Sequence, residues 1–167
     1  LGKPLIDRPL TISGAACENP KNIVVPIGTV LADLIPETIR LKEDLVKILS
    51  GGPMMGVSLP NTSFPIAKNT SGILFLNKKE TDLTTESQCI SCGRCIDVCS
   101  CRITPVMIVK ELAAGNMAEA LRYGLMDCVE CGSCVYVCPA HVQLIQRIRT
   151  GKQIRRSEIA QELQIQE

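Results

Sequence analysis

Apolar positions along this chain follow two different rhythms. Up to about residue 76 they come in short runs cut by Pro and Gly. Leu10-Thr11-Ile12-Ser13-Gly14 alternates with a period of two, as a half-buried strand does. Ile23-Val24-Val25-Pro26-Ile27-Gly28 predicts a second strand, and Pro26 puts it at a sheet edge because proline has no N–H to give to a ladder. Thr29 is placed to N-cap a short helix through Val30, Leu31, Leu34 and Ile35, ended by Pro36. Leu45 to Leu49 predicts another strand, and Ile73 to Leu76 a last one after the turn signal Asn69-Thr70-Ser71-Gly72. A hairpin, a helix and further strands in that order make an α+β arrangement.

From residue 89 the period lengthens. Val106, Val109, Leu112 and Ala113 share one helical face, and Gly115-Asn116 ends it. Met117 to Tyr123 predicts a second short helix. From about Val142 one long helix carries Leu144, Ile145, Ile148, Ile154, Ile159 and Leu163, with Gly151 weakening its middle. Asn77 to Gln88 is polar and charged. The division predicted is therefore 1–76 for a first domain, 77–88 for a linker and 89–167 for a second, mainly helical domain. The last helix also carries Arg147, Arg149, Lys152, Arg155 and Arg156. The plain reading is a solvated face; the sharper one is a dock for an acidic electron-transfer partner or lipid headgroups.

Composition narrows the class. Charged residues make up 21% and hydrophobic ones 46%, which argues against wholesale disorder. A net charge of +1 gives no reason to expect nucleic acid as a partner. No apolar run approaches the roughly 20 residues needed to span a bilayer, and the chain opens on no secretory signal pattern. Gly51-Gly52-Pro53-Met54-Met55-Gly56 lacks the Lys-Ser/Thr of a phosphate loop and the spacing of a dinucleotide fingerprint. It reads as a turn whose methionines fill an apolar gap. With no nucleophile–base constellation and no H-E-x-x-H, no catalytic residue is assigned.

The ten cysteines change the picture, because all but Cys17 lie in 89–138. Cys89-Ile-Ser-Cys92-Gly-Arg-Cys95-Ile-Asp-Val-Cys99 reads C-x2-C-x2-C-x3-C. Cys128-Val-Glu-Cys131-Gly-Ser-Cys134-Val-Tyr-Val-Cys138-Pro139 repeats it. Disulfide scaffolds spread their cysteines to close long loops, and zinc sites use separated knuckles without a third cysteine two residues on. The doubled run is the bacterial [4Fe–4S] pattern, in which the fourth cysteine of each run ligates the other cluster. The ligand sets are then Cys89, Cys92, Cys95 and Cys138 for cluster I, and Cys128, Cys131, Cys134 and Cys99 for cluster II.

Gly93 and Gly132 suit tight turns around a cluster, and Ile90, Ile96, Val98, Val129, Val135 and Val137 are expected as apolar cover. Ser100 stands where the pattern has Pro, and Cys101 follows, leaving Cys101 open as a crossing ligand in place of Cys99 or as a reactive thiol. The single histidine, His141, reads as an outer-shell or surface residue. With both clusters bound, the formal charge becomes about −3. The thiolates must stay reduced during assembly, which implies an anaerobic or cytosolic setting.

Gly2-Lys3-Pro4-Leu5-Ile6-Asp7-Arg8, the Gly51–Gly56 element, Lys68-Asn69-Thr70-Ser71-Gly72-Ile73-Leu74 and the two cysteine runs, in this order, resemble the RnfC family, a component of the Rnf electron-transport complex. The resemblance implies a soluble-ligand-binding β-grasp domain in residues 8–76, then a helical dicluster ferredoxin domain. It also implies a peripheral position on the cytoplasmic face of a membrane complex that couples electron flow between NADH and ferredoxin to ion transport. The partners would be the other subunits, with a flavin domain or ferredoxin as redox partner. The glycine-rich motif of the FMN- and NADH-binding domain is missing here, so FMN is expected only in a domain absent from this chain, which then reads as a fragment or a paralogue's C-terminal part. The function expected is relay of single electrons through two [4Fe–4S] clusters. Alternatives are an iron–sulfur redox sensor, a structural interaction module, or an electron carrier of a related cobalamin or amino-acid reductase system.

Overall fold

A computed structural model describes residue 2, residues 4–81 and residues 83–165. Lys3 of the resemblance motif, Asp82 of the expected linker and the two ends of the chain lie outside the described residues. The chain divides into two compact units between Leu83 and Thr84.

The first unit is a five-stranded sheet. β1 (Asp7–Ser13) and β2 (Lys21–Pro26) form an antiparallel hairpin, with Leu10 opposite Ile23. β3 (Leu45–Ser50) pairs antiparallel with β4 (Val57–Leu59) and with β5 (Gly72–Asn77), and β5 runs parallel to β1 at the centre. The spatial order is β2-β1-β5-β3-β4. Pro26 does lie on an edge strand, as its missing N–H requires. Alternation along β1 and β5 sends Leu10, Ile12, Ile73 and Phe75 to one face. There they meet Leu31, Ile39 and Ile66 from the connections and make a closed core.

Three expectations for this unit are corrected. The helix after Thr29 is only a 3₁₀ turn, Leu31–Leu34. Thr29 does not cap it: Val30 is the capping residue, and the Thr29 hydroxyl donates instead to the Pro26 carbonyl, at 2.9 Å. Met54 and Met55 fill no gap, being more than half exposed. The reason is the tightness of the turn between β3 and β4. A Cβ on Gly56 would lie 2.4 Å from the Gly52 carbonyl oxygen, so the residues between have no interior to point into. The short strand β4 has no counterpart in the sequence pattern, because Val57-Ser58-Leu59 is too brief to show a period.

The second unit is helical. α1 (Arg94–Asp97) and α4 (Ser133–Tyr136) are single turns inside the cysteine runs. α2 (Pro105–Ala113), α3 (Met117–Arg122) and α5 (Leu144–Ile165) are the helices that the periodicity predicts. Pro105 opens α2, where its missing N–H costs nothing, and the Asn116 side chain accepts the Glu119 N–H to cap α3. Ile108, Val109, Ala120, Leu125, Val142, Leu144, Ile145 and Ile148 are buried together. Among the described residues no helix is long and apolar enough to cross a membrane.

Gly151 is not a weak point in α5. It is buried against α2, and a Cβ there would lie 2.6 Å from Leu112 Cδ1. Glycine lets the two helices approach. Alanine would gain about 0.5–1 kcal/mol of helix propensity and asks only the flexible Leu112 methyls to move, whereas leucine forces an overpacking cost of about 1–3 kcal/mol. Gly151→Leu is therefore expected to destabilise the second unit, lowering its denaturant midpoint while the first unit's transition stays put.

Candidate iron–sulfur site

The two cysteine runs fold alike. Ser91 and Glu130, each just before a second cysteine, take left-handed φ values of 56° and 57°. Gly93 and Gly132 follow with 78° and 86°. A Cβ on Gly93 would meet nothing within 4 Å, so the backbone conformation, not space, calls for glycine there. α1 and α4 then turn Cys95 and Cys134 inward, against the helical core. After the fourth cysteine, Arg102 and His141 again have positive φ, 53° and 51°, and their N–H groups donate to the carbonyls of Cys99 and Cys138. α2 and α5 start at the same distance beyond. A shift of 39 residues, which lays Cys89 on Cys128, superposes every one of these features. In that register Cys99 matches Cys138, while Ser100 and Cys101 match Pro139 and Ala140.

The thiols gather in two rings. Cys89, Cys92, Cys95 and Cys138 line a cavity of about 190 Å³. Cys99, Cys101, Cys128, Cys131 and Cys134 line a narrower one of about 20 Å³. Each ring thus takes three cysteines from one run and the last from the other. Cys101 is a fifth thiol of the second ring, and Cys17 belongs to the other unit, buried in its core. Filling the narrower ring asks for cysteine χ1 rotations, a soft side-chain freedom.

The surroundings suit thiolate ligands. The Glu130 N–H lies 3.4 Å from Cys128 Sγ, and the Val142 N–H lies 3.4 Å from Cys138 Sγ. Burial pushes the Cys134 thiol up to about 11, and burial also raises Cys128 and Cys95. The Ser133 hydroxyl, 3.5 Å away, draws Cys131 below the usual thiol range. Metal loading must therefore drive protons off, most of all at Cys134, so it strengthens as pH rises. Among the described residues no three His, Cys, Asp or Glu side chains are gathered closely enough to hold a single metal ion; the thiols line two cavities. This donor set fits a cubane, with four soft thiolates at the rim and N–H groups turned to sulfur.

The expected apolar cover is partly wrong. Ile90, Ile96 and Val129 do line the two cavities, though solvent also reaches them, while Val98 is exposed and lines neither. The rings are closed from behind by Val106, Met107, Val142 and Leu144 on one side and by Ile103, Pro105 and Ile145 on the other. The repeat explains the choice, since Ile103 matches Val142, Pro105 matches Leu144 and Val106 matches Ile145. Aligning the two runs and extending the register would have found them.

The basic residues of α5 are not simply a solvated face either. Arg147 pairs with Glu86 at 2.7 Å, Arg149 with Glu130 at 2.9 Å, and Arg155 with Glu158 and Glu162. Lys152 is buried, donating to the Cys128 carbonyl and lying 3.3 Å from Glu130. Partial burial would raise the Glu130 carboxyl, but Arg149 and Lys152 outweigh it and hold the carboxyl below its ordinary range.

Residues 88–142 match the model of the 4Fe–4S dicluster domain, and the unit carries two [4Fe–4S] clusters. The chain is 42% identical over 151 residues to the C subunit of the ion-translocating oxidoreductase complex of Rhodobacter capsulatus, a match covering 90% of this chain and 29% of the relative. It is 50% identical over 107 residues, 64% of this chain and 23% of the relative, to the C subunit of the proton-translocating ferredoxin:NAD(+) oxidoreductase complex of Clostridium ljungdahlii. A Na(+)-translocating counterpart from Acetobacterium woodii is 40% identical over 116 residues, 70% of this chain and 26% of the relative. The chain therefore spans about a quarter of the length of the curated relatives it matches. Residues 88–142 thus match the 4Fe–4S dicluster domain, and the chain as a whole is similar to a segment of the C subunits of Rnf-type ion-translocating oxidoreductase complexes.

Proposed function

We propose that this chain is the electron-transfer module of an Rnf-type complex, relaying single electrons through two [4Fe–4S] clusters. Cys89, Cys92, Cys95 and Cys138 hold cluster I, and Cys128, Cys131, Cys134 and Cys99 hold cluster II. The observation that carries the reading is the exchange of the fourth cysteine between the two thiol rings. Cys95 and Cys99 sit on consecutive turns of one segment yet belong to opposite rings, which ties the two redox centres together. A cluster supplies reversible one-electron chemistry. The chain's own residues ligate it, hydrogen-bond its sulfurs and exclude water from its inner side.

The domain division that goes with this reading is 1–76, a linker at 77–88 and 89–167. The first domain is a β-grasp, supported by the order β2-β1-β5-β3-β4 with its parallel central pair, although a 3₁₀ turn stands where a grasping helix would be. The partners are the other subunits of the complex and a flavin or ferredoxin redox partner, with FMN held outside this chain. The location is peripheral, on the cytoplasmic face of the membrane.

Anaerobic reconstitution followed by iron analysis and EPR tests the core of the proposal. The expected result is about eight irons per chain and two reversible one-electron reductions. A zinc-loaded, redox-silent protein would sink it.

A further inference from the structure

The second unit repeats, so the places where its halves differ are informative. In the 39-residue register Glu130 matches Ser91, Arg149 matches Lys110 and Lys152 matches Ala113. The second half thus has a carboxylate and a buried ammonium where the first has a hydroxyl and a methyl group. Lys152 is only 5% exposed. Its Nζ donates to the carbonyl oxygen of Cys128, the residue whose thiol opens the second ring. The same Nζ lies 3.3 Å from Glu130 Oε1, and Arg149 Nε donates to Glu130 Oε2 at 2.9 Å. The Glu130 N–H, in turn, lies against Cys128 Sγ. The first ring has cations of its own, Arg94 and Lys110, in the wall of its cavity, but both are exposed; what sets the second apart is a cation out of reach of solvent.

We infer that Lys152, held by Glu130 and the Cys128 carbonyl, is a positioning residue that raises the reduction potential of cluster II, so that a relayed electron is held there more firmly than it would be without the buried cation. The inference depends on the electron-transfer reading above. Its physics is simple. Reduction adds one negative charge to a ring, and a cation out of reach of solvent favours that change more than an exposed one does. Donation to the Cys128 carbonyl also draws density from the peptide whose sulfur is a ligand. One electron arrives from an external one-electron donor and the same electron leaves to an external acceptor; Lys152 and the thiolates keep their oxidation state and proton count.

The test is an EPR-monitored redox titration of the reconstituted full chain. Lys152→Met keeps the stem and removes the charge. It is expected to lower the wave of cluster II, identified as the one that Cys99→Ser removes, by about tenfold in the one-electron equilibrium, roughly 59 mV. Lys152→Arg restores the wave. Glu130→Gln removes the opposing charge and should move the same wave upward. Opposite signs for the two variants separate electrostatics from a structural role. A shift confined to the wave of cluster I, the same direction in both variants, or unchanged waves at full iron content overturns the inference. If Lys152→Met fails to hold iron, Glu130→Gln decides alone, and an unmoved or lowered wave of cluster II overturns it. A wild-type protein without two reversible waves overturns the electron-transfer reading itself and takes this inference with it.

Discussion

Cys138→Ser is expected to halve the iron content of the reconstituted protein, from about eight to about four per chain, although Cys138 lies in the run that supplies the other cluster. The mutant should lose cluster I, because Cys138 lines the ring of Cys89, Cys92 and Cys95. Cys99→Ser should do the same to cluster II. Serine keeps the size but is a hard, weakly acidic donor that replaces thiolate poorly around iron. Cys101→Ala is the contrasting case. Its thiol reaches the second ring and lies near Ser100, which also approaches Cys131. In the repeat, however, it matches Ala140, so iron should stay at the wild-type level. Iron content and the EPR signal of each cluster decide the matter. If Cys101→Ala loses four irons and Cys99→Ser loses none, the crossing ligand is Cys101.

Stripping iron anaerobically with a chelator should unfold one unit and spare the other. In the first unit Phe75, Leu10, Ile12, Leu31, Ile39, Ile66 and Ile73 are fully buried without any help from a metal site. In the second, the aliphatic core is backed directly onto the thiol rings. Cys134 is itself a buried core member, and Cys95, Cys128 and Cys138 pack against it. Loss of the clusters leaves two cavities in that core and releases the loops held at Ser91, Glu130, Arg102 and His141 in left-handed conformations. Metal-binding energy there is folding energy. Amide hydrogen exchange is the measurement. Strand amides within 7–77 should remain protected while those of α2 and α5 exchange freely. Protection of α5 in the iron-free protein, or loss of both units together, would show that the clusters do not hold the second fold.

The strands of the first unit were legible because alternation and an edge proline are local signals: β1, β2, β3 and β5 all fall on the runs that predict them. The missed features are those whose cause is not local. Met54 and Met55 look like packing residues until the closeness of Gly56 to Gly52 turns them outward. Gly151 looks like a helix defect until Leu112 of another helix lies against it.

By itself the sequence determined the chemistry: the ligand type, its spacing, its doubling and hence two iron–sulfur clusters. Thiolates spaced by two residues can only curl around something, and the repeat states how often. The tertiary structure alone decided which residues back the rings and where charge lies beside them. Lys152 follows the last thiol of its run by fourteen positions on a long basic helix, and nothing in its neighbours marks it out. It becomes a partner of the Cys128 carbonyl because α5, packed on α2 through Gly151, carries it back past the loop. Burial and electrostatic field depend on which segments the folded chain brings together, and a one-dimensional pattern holds no distance between them.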